Sequence, residues 1–291
     1  MSDKGGVVEP ALFLWGSRMQ AQTADIIELV DTLAPFGFAE EWDNCGLQAG
    51  DPRWPADRVM IALDVTIQAM EEAKNRNAGI LLTHHPLLMK PLKSVSFDTM
   101  PGSALSISCR NRISIVSAHT SLDKARDGLN DYFASLVGLC DTRPLIPVPD
   151  QQENPAEPAG FGRIGRLTSP GPVETVASQI KHALGIDYVK VVGNRGKEKM
   201  DAAAVCTGSG GSFVEQFLRS GADLYITGDI KYHEARRIEE SGRALIDVGH
   251  FASEIAAVDL LYDRLKPACD QAGFEVEIIK YKKEKDPFII L

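Results

Sequence analysis

Two short apolar runs separated by one helix-length segment constrain this chain most. Val59 to Val65 is apolar except for Asp64, Gly79 to Thr83 is apolar up to its threonine, and between them Gln68 to Asn75 reads as a helix. Continuously apolar runs mark strands buried on both faces, as in a parallel sheet. Strand, crossover helix and strand form a right-handed β-α-β unit whose two strand carboxyl ends meet the same sheet edge. The fold class is therefore α/β, and the polar residues that end each strand share one rim. On that rim stand Asp64 and the pair His84-His85, followed by Pro86. Proline disfavours helix at His85 and holds the pair extended, with neighbouring side chains on opposite sides of the backbone. Such imidazoles chelate one ion poorly. They suit two ions side by side, because Cα atoms ~3.8 Å apart match the ~3.5–4 Å spacing of catalytic metal pairs. Taken alone, the pair also fits a strand end that merely caps hydrogen bonds.

The pattern returns along the chain. Ile113 to Ala118 reads as a strand and runs into His119-Thr120-Ser121-Leu122-Asp123. Ala202 to Cys206 and Leu224 to Thr227 are further strands, the second ending in Gly228-Asp229, and Ala244 to Val248 leads into Gly249-His250-Phe251-Ala252-Ser253-Glu254. The unit ending at His84-His85 can be laid beside the one ending at Gly228-Asp229, and His119 to Asp123 beside His250 to Glu254. In both halves a histidine leaves a strand and a carboxylate follows four residues later. The expectation is two similar α/β halves, an internal pseudo-repeat, with a metal site in the cleft between them. The boundaries read as an N-terminal extension over 1–22, a first half over 23–140, a connection over 141–160 and a second half over 161–291. Pro144, Pro147, Pro149, Pro155 and Pro158 gather in that connection.

Four of the six histidines end predicted strands, so chance is the weaker explanation for their placement. Imidazole and carboxylate without thiolate suit Zn²⁺, Mn²⁺, Fe²⁺ or Co²⁺. The five cysteines (Cys45, Cys109, Cys140, Cys206 and Cys269) are odd in number and contain no C-x-x-C, which points to reduced thiols rather than a disulfide frame or zinc knuckle. Ala11 to Trp15 is too short for a membrane span and lacks signal-peptide flanks, so the expected location is cytoplasmic. A net charge of −9 excludes binding of duplex nucleic acid or anionic membrane through overall charge. Two divalent ions would nevertheless outweigh two carboxylate ligands, offering a local positive site to an anionic small molecule.

Other segments carry weaker signals. Thr23 to Leu33 places Ile26, Ile27, Val30 and Leu33 on one helical face, with Asp25 and Glu28 spaced as a capping box. Trp42-Asp43-Asn44 reads as a packed loop with an Asx-turn. Gly160-Phe161-Gly162-Arg163-Ile164-Gly165 matches the dinucleotide pattern to the letter, but a proline-rich loop precedes it and no helix opens inside it. Thr207 to Ser212 fits either an anion cradle or a tight turn with close packing. The helix after Gly228 is expected to carry Asp229 and His233 four apart on one face. Glu275 to Tyr281 reads as a strand whose lysine-rich end is a solvated edge.

With these residues assembled, the chain resembles the YbgI/YqfO family of dinuclear metal-centre hexameric proteins, also described as NIF-three-like and as GTP cyclohydrolase I type 2 homologues. The resemblance runs from about Thr23 to the C-terminus. It rests on Glu41-Trp42-Asp43-Asn44, Leu63-Asp64-Val65-Thr66, Thr83-His84-His85-Pro86, Ala118 to Asp123, Thr227 to His233, and Gly249 to Glu254, in that order. It implies two metal ions, with His85 and Asp123 on one, His84 and His250 on the other, and Glu254 touching both. His119, Asp229 and His233 would then stand behind the ligands or face substrate, against an ordinary role in strand-end or helix-cap bonding. The family also implies a toroidal homohexamer with metal sites facing an internal cavity. Some members carry a large domain between the halves, and Asp141 to Met200 is too short for it.

Two functions follow from these residues. One is a metal-dependent hydrolase acting on a nucleotide or another phosphorylated heterocycle, GTP cyclohydrolase-like by resemblance, with His119 or His233 moving protons and Asp229 beside them. The other is a metal-binding regulatory or metal-handling hexamer without turnover.

Overall fold

The computed structural model describes residues 19–148, 159–193 and 199–290. Residues 1–18 of the expected extension and 149–158 of the expected connection lie outside them. The first part of the chain forms α1 (Thr23–Leu33), β1 (Gly46–Ala49), β2 (Arg58–Ala62), α2 (Ile67–Asn75), β3 (Ile80–Thr83), α3 (Gly102–Asn111), β4 (Ser114–Ser117), α4 (Thr120–Lys124) and α5 (Leu129–Leu136). Then come β5 (Leu139–Pro147), β6 (Gly160–Gly171), α6 (Val173–Leu184), β7 (Lys190–Val192), β8 (Met200–Ser209) and α7 (Val214–Ser220). The chain closes with β9 (Leu224–Gly228), α8 (Tyr232–Glu240), β10 (Ala244–Asp247), α9 (His250–Glu254), α10 (Ala256–Ala272) and β11 (Glu277–Lys280). No helix among the described residues is long and apolar enough to cross a membrane.

Two sheets result, ordered β1-β4-β3-β2-β11 and β5-β6-β8-β9-β10-β7. Within the first, β2, β3 and β4 are parallel and level, with Ala62 opposite Thr83 and Thr83 opposite Ser117. Within the second, β8, β9 and β10 are parallel, with Val205 opposite Ile226 and Thr227 opposite Asp247. An antiparallel strand closes each triplet beyond its last member, β1 on β4 and β7 on β10. The shared order is the internal pseudo-repeat expected from the strand ends. Every residue of β3, β4 and β10 is buried, as their continuous apolar runs require.

Sheet membership does not split at the proline-rich break. Residues 139–147, which run from the first half into that break, pair antiparallel with β6 as β5, where Pro144 and Pro147 sit in an edge strand that tolerates them. From the other side, β11 returns to lie parallel to β2 in the first sheet. The preceding helix α10 buries Val258, Leu261 and Leu265 in one cluster with Ile26 and Val30 of α1 and Ile61 and Leu82 of the first sheet. Each such side chain contributes about 1.5–3 kcal/mol on full burial, enough to bind the chain's end to its beginning. β11 is an edge strand and Lys282, Lys283 and Lys285 after it are exposed, but two residues among them are anchored. Tyr281 is buried, and the Glu284 carboxylate accepts the backbone N–H groups of Leu63 and Asp64 at 2.8 Å.

Two local readings change as well. The capping box of α1 starts one turn earlier, with Gln22 N–H donating to Asp25 Oδ2 at 2.7 Å, because Gln22 is the extended residue before the helix. Asp229 does not share a helical face with His233. It takes a left-handed conformation (φ +54°) between β9 and α8, and the helix opens only at Tyr232. The dinucleotide-like pattern lies inside β6, paired antiparallel on both sides, so no helix terminus faces a phosphate there.

Candidate metal centre

The strand ends of both sheets converge on four imidazoles and two carboxylates. His84 and His85 follow β3, His119 follows β4, and His250 with Glu254 begins and ends α9, the short helix after β10. Asp123 sits on α4. His84 is wholly buried, Glu254 and Asp123 nearly so, at 4% and 7% exposure.

Each ring is anchored from behind by Nδ1. The His84 Nδ1–H donates to the Ala118 carbonyl at 2.9 Å, which can only accept. His85 Nδ1 meets Asp64 Oδ1 at 2.8 Å, His119 Nδ1 meets Asp43 Oδ1 at 2.9 Å, and His250 Nδ1 meets Asp229 Oδ2 at 2.8 Å. An acceptor at Nδ1 fixes both the tautomer and the ring plane, and it directs the Nε2 lone pair forward. The forward atoms crowd together. Glu254 Oε2 lies 2.9 Å from His85 Nε2 and 2.8 Å from His250 Nε2, and those two nitrogens are 3.4 Å apart. On the other carboxylate oxygen, His84 Nε2 stands 3.7 Å from Glu254 Oε1 and 3.9 Å from Asp123 Oδ1.

His84 Nε2 is buried and has no hydrogen-bond partner. A buried polar atom in that position costs about 1–3 kcal/mol unless something satisfies it. Facing two carboxylates, a bare ring nitrogen offers a third electron pair to whatever lies between them. Imidazole nitrogens and carboxylate oxygens converging on one point, held together by protons that an ion can displace, suit a divalent cation, so the donor set fits a metal. Among the described residues, His84, His85 and His119 form one close grouping of ligand atoms and His85, His250 and Glu254 another, with Asp123 and Glu254 also facing His84.

In the metal-free chain, protons hold the imidazoles and carboxylates together. Burial pulls the His85 imidazole down, but the carboxylates of Asp64 and Glu254 outweigh it and push it up to about 10. Glu254 likewise raises His250 to about 9, against burial and with help from Asp229. Burial would raise Glu254, yet the imidazoles of His250, His84 and His85 hold it well below the usual carboxylate range. Asp123 is pushed up by burial. Asp43 would also be raised by burial, and the hydrogen bonds from His119 and Thr120 reverse this and hold it well below its usual range.

The glycine-rich stretch 207–212 serves the cluster as a tight turn. A Cβ on Gly208 would stand 2.1 Å from Glu254 Oε1, and the Gly208 N–H donates to Ser253 Oγ at 2.9 Å. The turn is thus packed against the ligand carboxylate rather than open to an anion. Asp43, Asp64 and Asp229 add three carboxylates behind the rings, so net charge alone does not draw an anion to this site.

Of the residues expected here, His84, His85, Asp123, His250, Glu254 and His119 come together. The resemblance pairs His85 with Asp123 and His84 with His250, whereas the contacts set His84 beside Asp123 and join His85 to His250 through Glu254 Oε2. Asp229 holds His250 from behind. His233 is exposed on the first turn of α8, its ring centroid 5.4 Å from that of Tyr232, outside both ligand groupings. Asp43 was read only as a turn residue. It binds His119, Thr120 and the Asn44 N–H, so its partner is 76 residues away, beyond the reach of local pattern. Beside His85 and His250 opens a cavity of about 430 Å³ with Asp64 and Asp229 on its floor.

Comparison with known proteins agrees with this architecture. The family model described as Duf34/NIF3 (NGG1p interacting factor 3) matches residues 21–287. The chain belongs to the Duf34/NIF3 family. It is 34% identical over 264 residues to a GTP cyclohydrolase 1 type 2 homolog from Clostridium perfringens, covering 91% of this chain and 97% of that one. It is 30% identical over 268 residues to the Protein NIF3 homolog of Schizosaccharomyces pombe, covering 89% and 95%. Among solved structures, a Bacillus cereus protein related to NIF3 superposes with a TM-score of 0.86 at 25% identity, covering 93% of this chain and 99% of the other. Reduced HcgD from Methanocaldococcus jannaschii gives 0.75 at 29% identity, covering 90% and 98%. Both structures are matched over nearly their full length, so the two-sheet arrangement is a fold they share with this chain.

Proposed function

We propose that this Duf34/NIF3 chain is a dinuclear metal-dependent hydrolase acting on a nucleotide or another phosphorylated heterocycle. The observation that carries the reading is the unpartnered, buried Nε2 of His84, set among imidazoles that are all fixed from behind. His84, Asp123 and Glu254 would hold one divalent ion, and His85, His250 and Glu254 the other. Bound there, Zn²⁺, Mn²⁺, Fe²⁺ or Co²⁺ supplies Lewis acidity and stabilises developing negative charge. Asp64 and Asp229 keep the His85 and His250 rings in the ligating tautomer. His119 Nε2 accepts a proton at the cluster, while Asp43 on its Nδ1 steadies the resulting imidazolium. Exposed His233 lies outside both ligand groupings and away from the cavity lining, and takes no part in this reading. The names of relatives support a cyclohydrolase-like opening of a purine ring as the specific reaction.

The test is protein reconstituted with each metal in turn and assayed with GTP and simple phosphodiesters, alongside Glu254→Ala. Turnover lost in the variant is expected. Activity absent with every metal, or unchanged in the variant, refutes the hydrolase and leaves a metal-binding regulatory or metal-handling protein. The family resemblance further supports a toroidal homohexamer, and the unpaired cysteines support a cytoplasmic setting. Light scattering of the purified protein checks the first.

A further inference from the structure

The cavity beside His85 and His250 has a wall for which the ligand cluster has no use. It is built by Tyr188 and Lys190 at the start of β7 and by the segment Asp286–Ile290 at the chain's end. This last segment is tethered. Glu284 accepts the Leu63 and Asp64 N–H groups, which joins the tail to the residue that orients His85. Beyond the tether, Phe288 lines the cavity while 76% exposed, an apolar ring held at the mouth of a polar site rather than packed away. Tyr188 is 41% exposed on the same wall.

The pseudo-repeat explains how these residues arrive. In the first half, the chain entering edge strand β1 brings Trp42 and Asp43 to His119, with the Trp42 and His119 ring centroids 6.1 Å apart. Strand β7 holds the equivalent edge of the second sheet, and the chain entering it brings Tyr188 and Lys190 to the side of His250. Lys190 Nζ is steadied 3.1 Å from buried Asp247, yet its side chain remains 70% exposed. It is the single lysine or arginine among the described residues lining the cavity, against Asp64, Asp229, Asp247 and Asp286. An anionic group entering there has one cationic side chain to meet, and aromatic faces accept any flat ring.

Resting on the hydrolase reading for the reacting end, we propose that this wall sets specificity. It receives a flat heterocycle that carries a phosphate, the ring against Tyr188 and Phe288 and the phosphate on Lys190. Glu284 acts as a positioning residue that keeps the tail in place.

Calorimetric titration of the zinc-loaded, full-length protein with GMP, guanosine and ribose 5-phosphate tests this. GMP should bind at least about tenfold more tightly than either fragment. Phe288→Ala, and separately a chain ending at Lys285, should weaken GMP about tenfold with zinc per chain unchanged. Lys190→Ala should weaken GMP about tenfold and leave guanosine as it was. Glu284→Gln should give a weaker version of the tail's loss, since the amide keeps an acceptor. The proposal is overturned if Phe288→Ala and Lys190→Ala bind GMP as the wild type does, or if the wild type binds none of the three probes. It is equally overturned if losing the tail changes only the oligomeric state, which would make Phe288 a contact between copies. GMP binding with this pattern but no turnover with any metal removes the hydrolase and keeps the wall. Turnover of GTP untouched by all these variants does the reverse.

Discussion

Replacing Gly208 by alanine perturbs the cluster through the backbone, without removing a ligand. Gly208 holds a φ of +64°, and an L-residue there costs about 1–2 kcal/mol. The added methyl would also stand 2.1 Å from Glu254 Oε1 and 3.0 Å from its Cδ, whereas ordinary contact begins at 3.4 Å. The carboxylate must therefore retreat by roughly 1 Å, several times the ~0.2 Å that metal–ligand distances tolerate. On the dinuclear reading, one ion should lose its Glu254 oxygen, lowering affinity by about a hundredfold or more. Gly185→Ala is the matched control: φ is +66°, and nothing lies within 4 Å of the added Cβ. Without metal, both variants should lose about 1–2 kcal/mol in urea unfolding from the shared backbone strain, and Gly208→Ala more, by the cost of displacing Glu254. Only Gly208→Ala should lose metal on dialysis against a chelator, read by elemental analysis per chain. If it keeps metal as tightly as Gly185→Ala, Glu254 does not ligate, and the assignment of the cluster fails.

Asp64→Asn and Asp229→Asn should each lower metal affinity about 10–100-fold by loosening the ring behind which they stand, measured by competition with a chromogenic chelator. His233→Ala should leave metal content unchanged, because its ring lies outside both ligand groupings. Metal loading near pH 7 should release about two protons per chain, because His85 is held up to about 10 and His250 up to about 9 before the ion arrives; calorimetry in buffers of differing ionisation enthalpy reads the number. The same raised values set the pH dependence of the metal-free chain. Their stabilising contribution is fully present below about pH 6.5, the unfolded value, and is lost as pH rises through about 9–10, so its urea midpoint should fall across that window. Asp131→Asn should cost about 3 kcal/mol, since it leaves the 2%-exposed Arg163 guanidinium buried with only carbonyl partners, seen as a lower thermal midpoint.

The strand ends were legible in the sequence because the physics that makes them is local. A continuous apolar run followed by a polar residue is visible in seven letters, and six of the eight expected site residues meet at the cluster: four histidines past those strand ends, and Asp123 and Glu254 each four residues beyond one of them. What stayed hidden depends on distant partners. Strand β5 lies in a proline-rich stretch that reads as a connection, and only β6 beside it gives its backbone a ladder. Helix α3 has its N-terminus at a proline and weak amphipathicity, with only Gly102, Ala104 and Ser108 buried. The carboxylates behind the rings are short-range in space and far in sequence, such as Asp43 to His119 and Asp64 to His85. The tail's anchor is hidden for a similar reason: its exposed lysines mark a solvated edge, while Glu284 among them is claimed by two N–H groups more than two hundred residues away.

The duplication accounts for the asymmetry of the site. At the end of β3 stand His84-His85, and at the matching end of β9 stand Gly228-Asp229. The glycine there is a steric requirement: a Cβ on Gly228 would lie 2.6 Å from the Gly249 carbonyl carbon, and 2.7 Å from Gly208 O and His250 N. With no room for a second ring pair, the second half contributes His250 and Glu254 from α9 and uses Asp229 to orient His250. The first half keeps His84 sealed in the core and turns His85 toward the cavity, next to His250. One side of the cluster is therefore closed and would hold metal by buried groups, while the other opens to the wall made by β7 and the tail. An ion between His85, His250 and Glu254 would be the accessible one. A ligand entering the cavity would meet it first, which is why substitutions along that wall, rather than around His84, should separate substrate binding from metal retention.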